Sequence, residues 1–562
     1  MVFLLWTPAY NSNDDVGMML IASGHRSGTP SEFVIYINVL NGLLLRSLYT
    51  AWPDAPWYAL HHYGIHWLSS FGFFFGILWP KINGRRLLLA GLGYTAVWIP
   101  HLVSLQFTTV SVLAAMTGMW LLVTALCHRR EETRPRPGER RWLRELRPVW
   151  VHLILGALLV FLAVLVRWSG AGLAIALAAS WYAVHTLRSR RVLRAALGVG
   201  LVASLCLGAF LFHTSYYNAN PTARHYLEYN SSRARIHDKT LGRFTRRNRD
   251  VYEPVGWSYN DAKMFRNTWF FLDKEVYSLD RLDRVAKNYL AQGGDWSAAR
   301  KRLEGQMEDT SLGIVLAAAG LCLFFSRRRW AALIAIGGTA VVCIAFALYL
   351  AYWSHISARV WTPMLDVFGI CTAFWLSMEA ERSWRPAHWN NHPQRYRLAL
   401  VVVAGLVGHA SLSAVDIAIE MSRVHAKEQR ELLDVFDELR NLRPINGEDP
   451  VLVMMGQSIP FRRLNPWHDR RPLRKLRFIF GGWSTFSPAH ETLLERLGVD
   501  DVYSAMAERS NYYLVTRSRH LHRYRRFMTE HRGRLVGARR LPGMVKLRAV
   551  TEASIYEIRF RS

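Results

Sequence analysis

The chain of 562 residues is 51% hydrophobic and 13% aromatic, and its 70 Lys and Arg against 42 Asp and Glu give a formal net charge of +28. Such hydrophobicity excludes intrinsic disorder, and 5 cysteines are too few for a disulfide-built secreted domain. The apolar residues cluster into runs long enough to cross a bilayer, which predicts a polytopic α-helical membrane protein.

Residues 1–10, MVFLLWTPAY, are apolar but shorter than a span, and they read as the end of a first helix that begins before this sequence does. Ten runs of spanning length follow, at 58–79, 87–105, 107–127, 148–168, 171–187, 195–213, 311–326, 330–353, 360–379 and 398–417, for about 11 transmembrane helices in all. Basic short loops at Lys81 to Arg86, Arg129 to Arg147, Arg188 to Arg194, Arg327 to Arg329 and Arg382 to Arg397 alternate with nearly uncharged ones. Lys and Arg mark the cytoplasmic side, so residues 11–57, 214–310 and 418–562 are expected together on the outer face of a bacterial cytoplasmic (inner) membrane. Counting 31–52 as a span would reverse that parity, and with Arg46, Asn38 and Asn41 it reads instead as a juxtamembrane helix lying in the interface.

Four regions result: an N-terminal transmembrane module 1–213, with first outer loop 11–57; an extracytoplasmic helical lid, 214–310; C-terminal transmembrane helices, 311–417; and a small extracytoplasmic α/β domain, 418–562. The lid is rich in aromatic residues and charge, as in YNSSRARIHD (229–238) and GWSYNDAKMFRNTWFFLDKEVYS (256–278), too dense for a linker. The tail opens with an amphipathic helix, 420–442. Strand-like runs then start at 451, 477, 512, 544 and 554, and helical runs at 488 and 519. Its basic excess suits anionic lipid or glycan, and no nucleic-acid-binding signature is present.

No Walker A, strand-borne GxGxxG, HExxH or GxSxG element stands in a supporting context. What remains is Asp14-Asp15 in NSNDDVGMMLIASGHRSGTPSEF. Two adjacent carboxylates at a membrane surface are costly unless used or paired. The competing reading is a helix cap, with Asn13 or Asp14 capping a helix from Val16. An Asp pair directly after a first helix, a Gly- and Pro-containing link, a juxtamembrane helix, many spans and an outer C-terminal domain resemble the GT-C superfamily of polytopic glycosyltransferases. The resemblance is to its protein-mannosyltransferase, aminoarabinose-transferase and arabinofuranosyltransferase types; YNSSRARIHD and GWSYND also resemble uncharacterised bacterial membrane proteins.

The resemblance implies a polyprenyl-phosphate sugar donor, a lipid, glycan or protein acceptor, and Asp14 or Asp15 as the general base on the acceptor hydroxyl. A leaving lipid phosphate needs cationic donors, and Arg359, the sole basic residue of the loop 353–359, fits, with His355 beside it. His61, His62 and His101 are further donor or ligand candidates, or simply hydrogen-bonded interfacial residues. Arg233, Arg235, Asp238, Asn260 and Asp261 in the lid are candidates for sugar or acceptor contact. The superfamily sometimes uses a divalent cation near the first-loop carboxylates, and the sequence leaves the metal open. The other readings are an O-antigen polymerase or ligase, favoured by Arg233, Arg235 and His237 in a large outer loop; a transporter, against which no internal repeat is visible; and a non-catalytic envelope scaffold.

Overall fold

The computed structural model describes residues 5–79, 82–127, 141–189, 192–239, 244–291, 293, 296–307, 319–320, 322, 326, 329–354, 357–379, 393–442, 448–456, 458–468 and 471–560. The chain is mostly helical, with a five-stranded sheet in its tail. Among the described residues six helices are long and apolar enough to cross a membrane: Arg86–Val103, Phe107–Leu126, Val149–Leu187, Ala196–Ala219, Arg329–Trp353 and Arg359–Ser377.

That number differs from the expected count for identifiable reasons. The runs 148–168 and 171–187 join in one helical stretch, Arg141–Ser189, broken only at Arg167 (φ −161°, ψ 99°). Most of 311–326 lies outside the described residues. The helix Trp57–Leu78 carries His61, His62 and His66, which dilute its apolar character. The last run lies within Pro393–Arg440, a 48-residue helix. At 1.5 Å per residue it is about 72 Å long, more than twice the thickness of a hydrocarbon core, and its charged second half lowers its apolar character below that of the six.

Phe107–Cys127 is the hub of the bundle, with nearly every side chain buried. Its neighbour approaches closely at Gly118 and Gly156, where a Cβ on either glycine would sit 2.7 Å from the carbonyl oxygen of the other. Small residues at such a crossing let packing replace the hydrophobic effect that lipid cannot supply. The break at Arg167 frees carbonyls inside the bundle. Ser111 Oγ lies 2.9 Å from Ala163 O and 2.8 Å from Arg167 O, so its single proton is shared between these two carbonyls.

The segment expected as a helix over 31–52 is helical only over Val39–Ala51, because the Asn38 side chain accepts from Leu40 N and caps it there. Thirteen residues span about 20 Å, too short to cross a membrane.

In the tail, strands β3 (Val451–Met454), β4 (Arg477–Phe480), β5 (Tyr512–Arg517), β6 (Val536–Arg540) and β7 (Ala553–Phe560) form a sheet of order β4-β3-β5-β7-β6. β3 pairs in parallel with β4 and β5, and β7 runs antiparallel to β5 and β6. The strand expected at 544 is a helix, Val545–Thr551. The Glu438 carboxylate, on the long helix, accepts the amides of Val545, Lys546 and Leu547 at 2.7, 3.1 and 2.8 Å. It therefore caps a helix N-terminus that the local apolar alternation does not reveal.

The lid and the tail, separate regions by sequence, share one core. Tyr229, Trp257, Phe265, Phe270 and Tyr277 pack with Val451, Ile479, Tyr503, Tyr524 and Phe527. At its rim Asp261 is fully buried and caps Ser258 N at 2.8 Å, while His531 Nε2 lies 2.9 Å from both of its carboxylate oxygens. The hydrogen bond to Asp261 raises the His531 pKa above its ordinary value near 6.5, against the opposing effect of burial. A raised folded pKa contributes stability that is complete below the ordinary value and is lost as pH rises through the folded one. Amide hydrogen exchange in 256–272, corrected for intrinsic rate, is expected to accelerate as the pH is raised above about 6.5, and Asp261→Asn to flatten that dependence. A pH-independent wild type would show that the clasp does not involve the imidazolium.

Candidate functional site

Residues Ala9–Tyr10 (β1) pair in parallel with Ser104–Leu105 (β2), and Asn11 adds bonds to Leu105 O at 2.9 Å and Ser104 Oγ at 2.8 Å. This pins the first loop to the start of the hub helix. The helix that follows begins at Asn13, not at Val16, because its N-cap is Ser12, whose side chain accepts from Asp15 N. Asp14 and Asp15 thus fall in the first turn of Asn13–Ala22, where the free amides favour carboxylates.

Adjacent helical positions point in different directions, and the pair is split. Asp15 is fully buried. Its Oδ1 accepts from Tyr58 Oη at 3.2 Å and from Phe107 N at 3.1 Å, and its Oδ2 from Ser12 Oγ at 2.7 Å. Phe107 N is one of the unsatisfied amides at the start of the hub helix, so Asp15 caps that helix from the first loop. Burial pushes its carboxyl up to about 7, the three hydrogen bonds opposing. Asp14 instead lines a cavity of about 540 Å³ and forms an ion pair with Arg359 through Oδ2. Arg359 heads the spanning helix Arg359–Ser377, so the pair sits where the bundle meets the lid and the tail.

All three polar segments supply walls to this cavity. From the tail come Met454, the last residue of β3, Gly456 just past it, and Phe480 to Ser484, at and past the end of β4. The chain leaves β3 for β4 on one side and later returns to β5 on the other, which puts the crevice at the carboxyl ends of the strands where the topology switches direction. From the lid come His237, Asp238 and Trp269. Trp269 holds a left-handed backbone (φ 51°) after a π-helical turn, and the His237 ring stacks on it at 3.9 Å. Burial, aided by Arg233 and Arg266, holds the His237 pKa well below its ordinary value, so it meets the cavity as a neutral ring.

The other sequence candidates are dispersed. Asp238 lines the cavity. Arg233 is buried behind it, bonded to Asn230 at 2.9 Å, 3.9 Å from Asp238 and 5.6 Å from the centre of the Trp269 ring, which it braces. Arg235 pairs with Asp283 at 3.3 Å on the lid surface. Asn260 and Asp261, expected as sugar or acceptor contacts, are spent on the tail: Asn260 Nδ2 donates to Arg523 O at 3.0 Å, and Asp261 holds His531. His61 and His62 lie inside the bundle on Trp57–Leu78, off the cavity, with His62 Nδ1 2.7 Å from Tyr58 O. His101 is paired with Asp366 at 2.7 Å. His355 lies outside the described residues.

Sequence reasoning missed Arg26, Arg462, Trp269, Trp483 and the Phe480-Gly481-Gly482 turn, all on the cavity wall. It also missed Arg167, whose Nη1 donates to Thr108 Oγ1 at 2.7 Å beside the first loop. The one available signal was FGGW (480–483), two glycines between a strand and a Trp.

A divalent cation at the first-loop carboxylates does not fit these residues. Only Asp14 of the pair reaches the cavity, its Oδ2 is taken by Arg359, and Arg26 and Arg462 add positive charge to the same walls. Among the described residues Asp261, Glu530 and His531 do gather as potential ligands, but on the rim of the lid and tail core, where Ser258 and Arg526 also hold Glu530.

Fold and site together define an integral membrane protein whose first loop, lid and tail enclose one charged, aromatic-walled cavity at the end of the helical bundle. No family model matches the chain, and no curated protein matches it. Two solved structures are similar to it: ArnT from Cupriavidus metallidurans bound to undecaprenyl phosphate, with a TM-score of 0.39 and 11% identity over 99% of this chain and 96% of that one; and the same protein in the apo state, with a TM-score of 0.38 and 12% identity over 99% and 94%.

Proposed function

We propose that the protein is an integral membrane glycosyltransferase that moves a sugar from a polyprenyl-phosphate donor to a cell-envelope lipid, glycan or protein, at the outer face of a bacterial inner membrane. The observation that carries this reading is Asp14 on the cavity wall, paired with Arg359 at the head of a spanning helix. A carboxylate there serves as the base that takes the acceptor hydroxyl proton while the oxygen bonds to the anomeric carbon. The bond from that carbon to the phosphate oxygen breaks as the new one forms, and its electron pair leaves with the lipid phosphate. Arg359 has five N–H donors, enough to keep Asp14 in place and still receive phosphate oxygens at membrane depth. The rings of Trp269, Trp483 and Phe480 on the cavity wall suit the apolar face of a sugar.

The test is transfer of radiolabelled sugar from a series of undecaprenyl-phosphate sugars into envelope lipids and glycans, in membranes bearing the wild type or Arg359→Gln. Wild-type membranes are expected to label a lipid or glycan species, and Arg359→Gln to lower that labelling by about 10² at equal protein level. A labelled species equally abundant in Arg359→Gln would remove the transferase reading from this cavity.

A further inference from the structure

Arg26 is 4% exposed, yet it lines the same cavity as Asp14. The only described hydrogen bond of its side chain is a long one, from Nη2 to Phe480 O at 3.4 Å, and its Nε is buried with no acceptor. Among the described residues no carboxylate pairs with it. The two carboxylates on the cavity wall are committed elsewhere, Asp14 to Arg359 and Asp238 toward Arg233. The groups nearest Arg26 are neutral. His490 is fully buried, burial and the Arg26 charge pushing it down to about 3, and the Tyr226 hydroxyl is bonded to Trp483 O at 2.7 Å. A guanidinium withdrawn from water without a counter-charge is strongly unfavourable. Even so, burial lowers its pKa only to about 10, so it is charged at neutral pH.

We propose that Arg26 holds a second anionic group, a carboxylate or phosphate carried by the transferred sugar or by the acceptor, on the tail-sheet wall of the cavity. The lipid phosphate of the donor is not the occupant this position suits. Arg359 begins a spanning helix, whereas Arg26 is fixed against the end of β4, with its guanidinium carbon 4.9 Å from the centre of the Phe480 ring. A guanidinium lying on a ring face keeps its N–H edge free, the geometry that grips a carboxylate or phosphate bidentately. Arg462, exposed on the same wall, adds to the field that would draw such a group in. The anion site stands on Arg26 itself; only its assignment to a sugar or an acceptor rests on the transferase reading.

The experiment is isothermal titration of the full-length protein in phosphatidylcholine nanodiscs with glucuronate, glycerol phosphate and, as the neutral control, methyl glucoside. Saturable binding of glucuronate or glycerol phosphate but not of methyl glucoside is expected, weakened roughly 10- to 100-fold in Arg26→Gln and retained in Arg235→Gln, a change on the lid surface away from the cavity. Preference for glucuronate assigns the charge to the sugar, and preference for glycerol phosphate to a phosphorylated acceptor. Arg26→Lys keeps the charge without the fork and is expected to lose about tenfold, which serves as the comparison should Arg26→Gln fail to fold. Absence of binding by either anion overturns the proposal, as does affinity that is unchanged in the Arg26 variants. Arg26-dependent binding in a protein with no transfer activity would keep this site and discard the transferase reading instead.

Discussion

Asp14→Asn is expected to lower sugar transfer about 10²- to 10⁴-fold at unchanged protein level, and Asp15→Asn to leave most of it. Asparagine at 14 keeps the shape and an acceptor for Arg359 but cannot take a proton. At 15 it keeps an oxygen for Tyr58 and Phe107, and its amide donates to Ser12 Oγ in place of accepting from it. Asp15→Asn also has a signature in stability. Burial raises the Asp15 carboxyl from 3.8 to about 7, so its contribution is complete below the ordinary value and is lost as pH rises through about 7. Thermal unfolding of Asp15→Asn should therefore gain on the wild type as the pH is raised from about 4 to about 7. Loss of transfer in Asp15→Asn with an active Asp14→Asn would exchange the two roles.

Gly481→Val is expected to cost at least about 1–3 kcal/mol and to reduce transfer more than about tenfold. A Cβ at 481 would lie 2.4 Å from Trp269 O and 3.4 Å from Phe270 Cα. That backbone has little room to retreat. Trp269 is already left-handed, and Phe270 is wedged into the shared core against Tyr503 at 5.3 Å between ring centres. The strain falls on the seam where the lid meets β4, so the cavity wall shifts with it. Gly208→Ala, on a helical face with nothing within 4 Å of the new Cβ, is the control and should be neutral or slightly stabilising. Equal unfolding temperatures and equal transfer for Gly481→Val and wild type would show that the seam is looser than the structure has it.

Both predictions concern groups whose neighbours are remote in the chain. Asp14 meets Arg359 across 345 positions, and Gly481 of the tail meets Trp269 of the lid. The membrane helices were legible because bilayer thickness demands a run of apolar residues, a local property. The first-loop carboxylates were legible because charge at a membrane surface is conspicuous, although which of the two faces the cavity was not. That depends on where Tyr58, Phe107 and Ser12 stand when the helix docks. Asn260 and Asp261 misled because buried polar groups that clamp two regions together have the same composition as groups that bind a ligand.

The residues alone determined a polytopic helical protein, the amphipathic start of the tail and most of its strands, and they singled out residues 14, 15 and 359 as conspicuous charges. Apolar run length, period-2 alternation and isolated charge are written in neighbouring positions, which is why these features survive without a structure. The tertiary structure decided the rest: that lid and tail form one core, that Asp15 caps the hub helix while Asp14 faces the cavity, that 545–551 is a helix, and that Arg26, Trp269 and the turn after β4 line that cavity. Each depends on a partner brought from far away, Glu438 for the helix and the end of β4 for Arg26. Contacts of that kind arise from the packing of whole elements, which the spacing of residues along the chain does not encode locally.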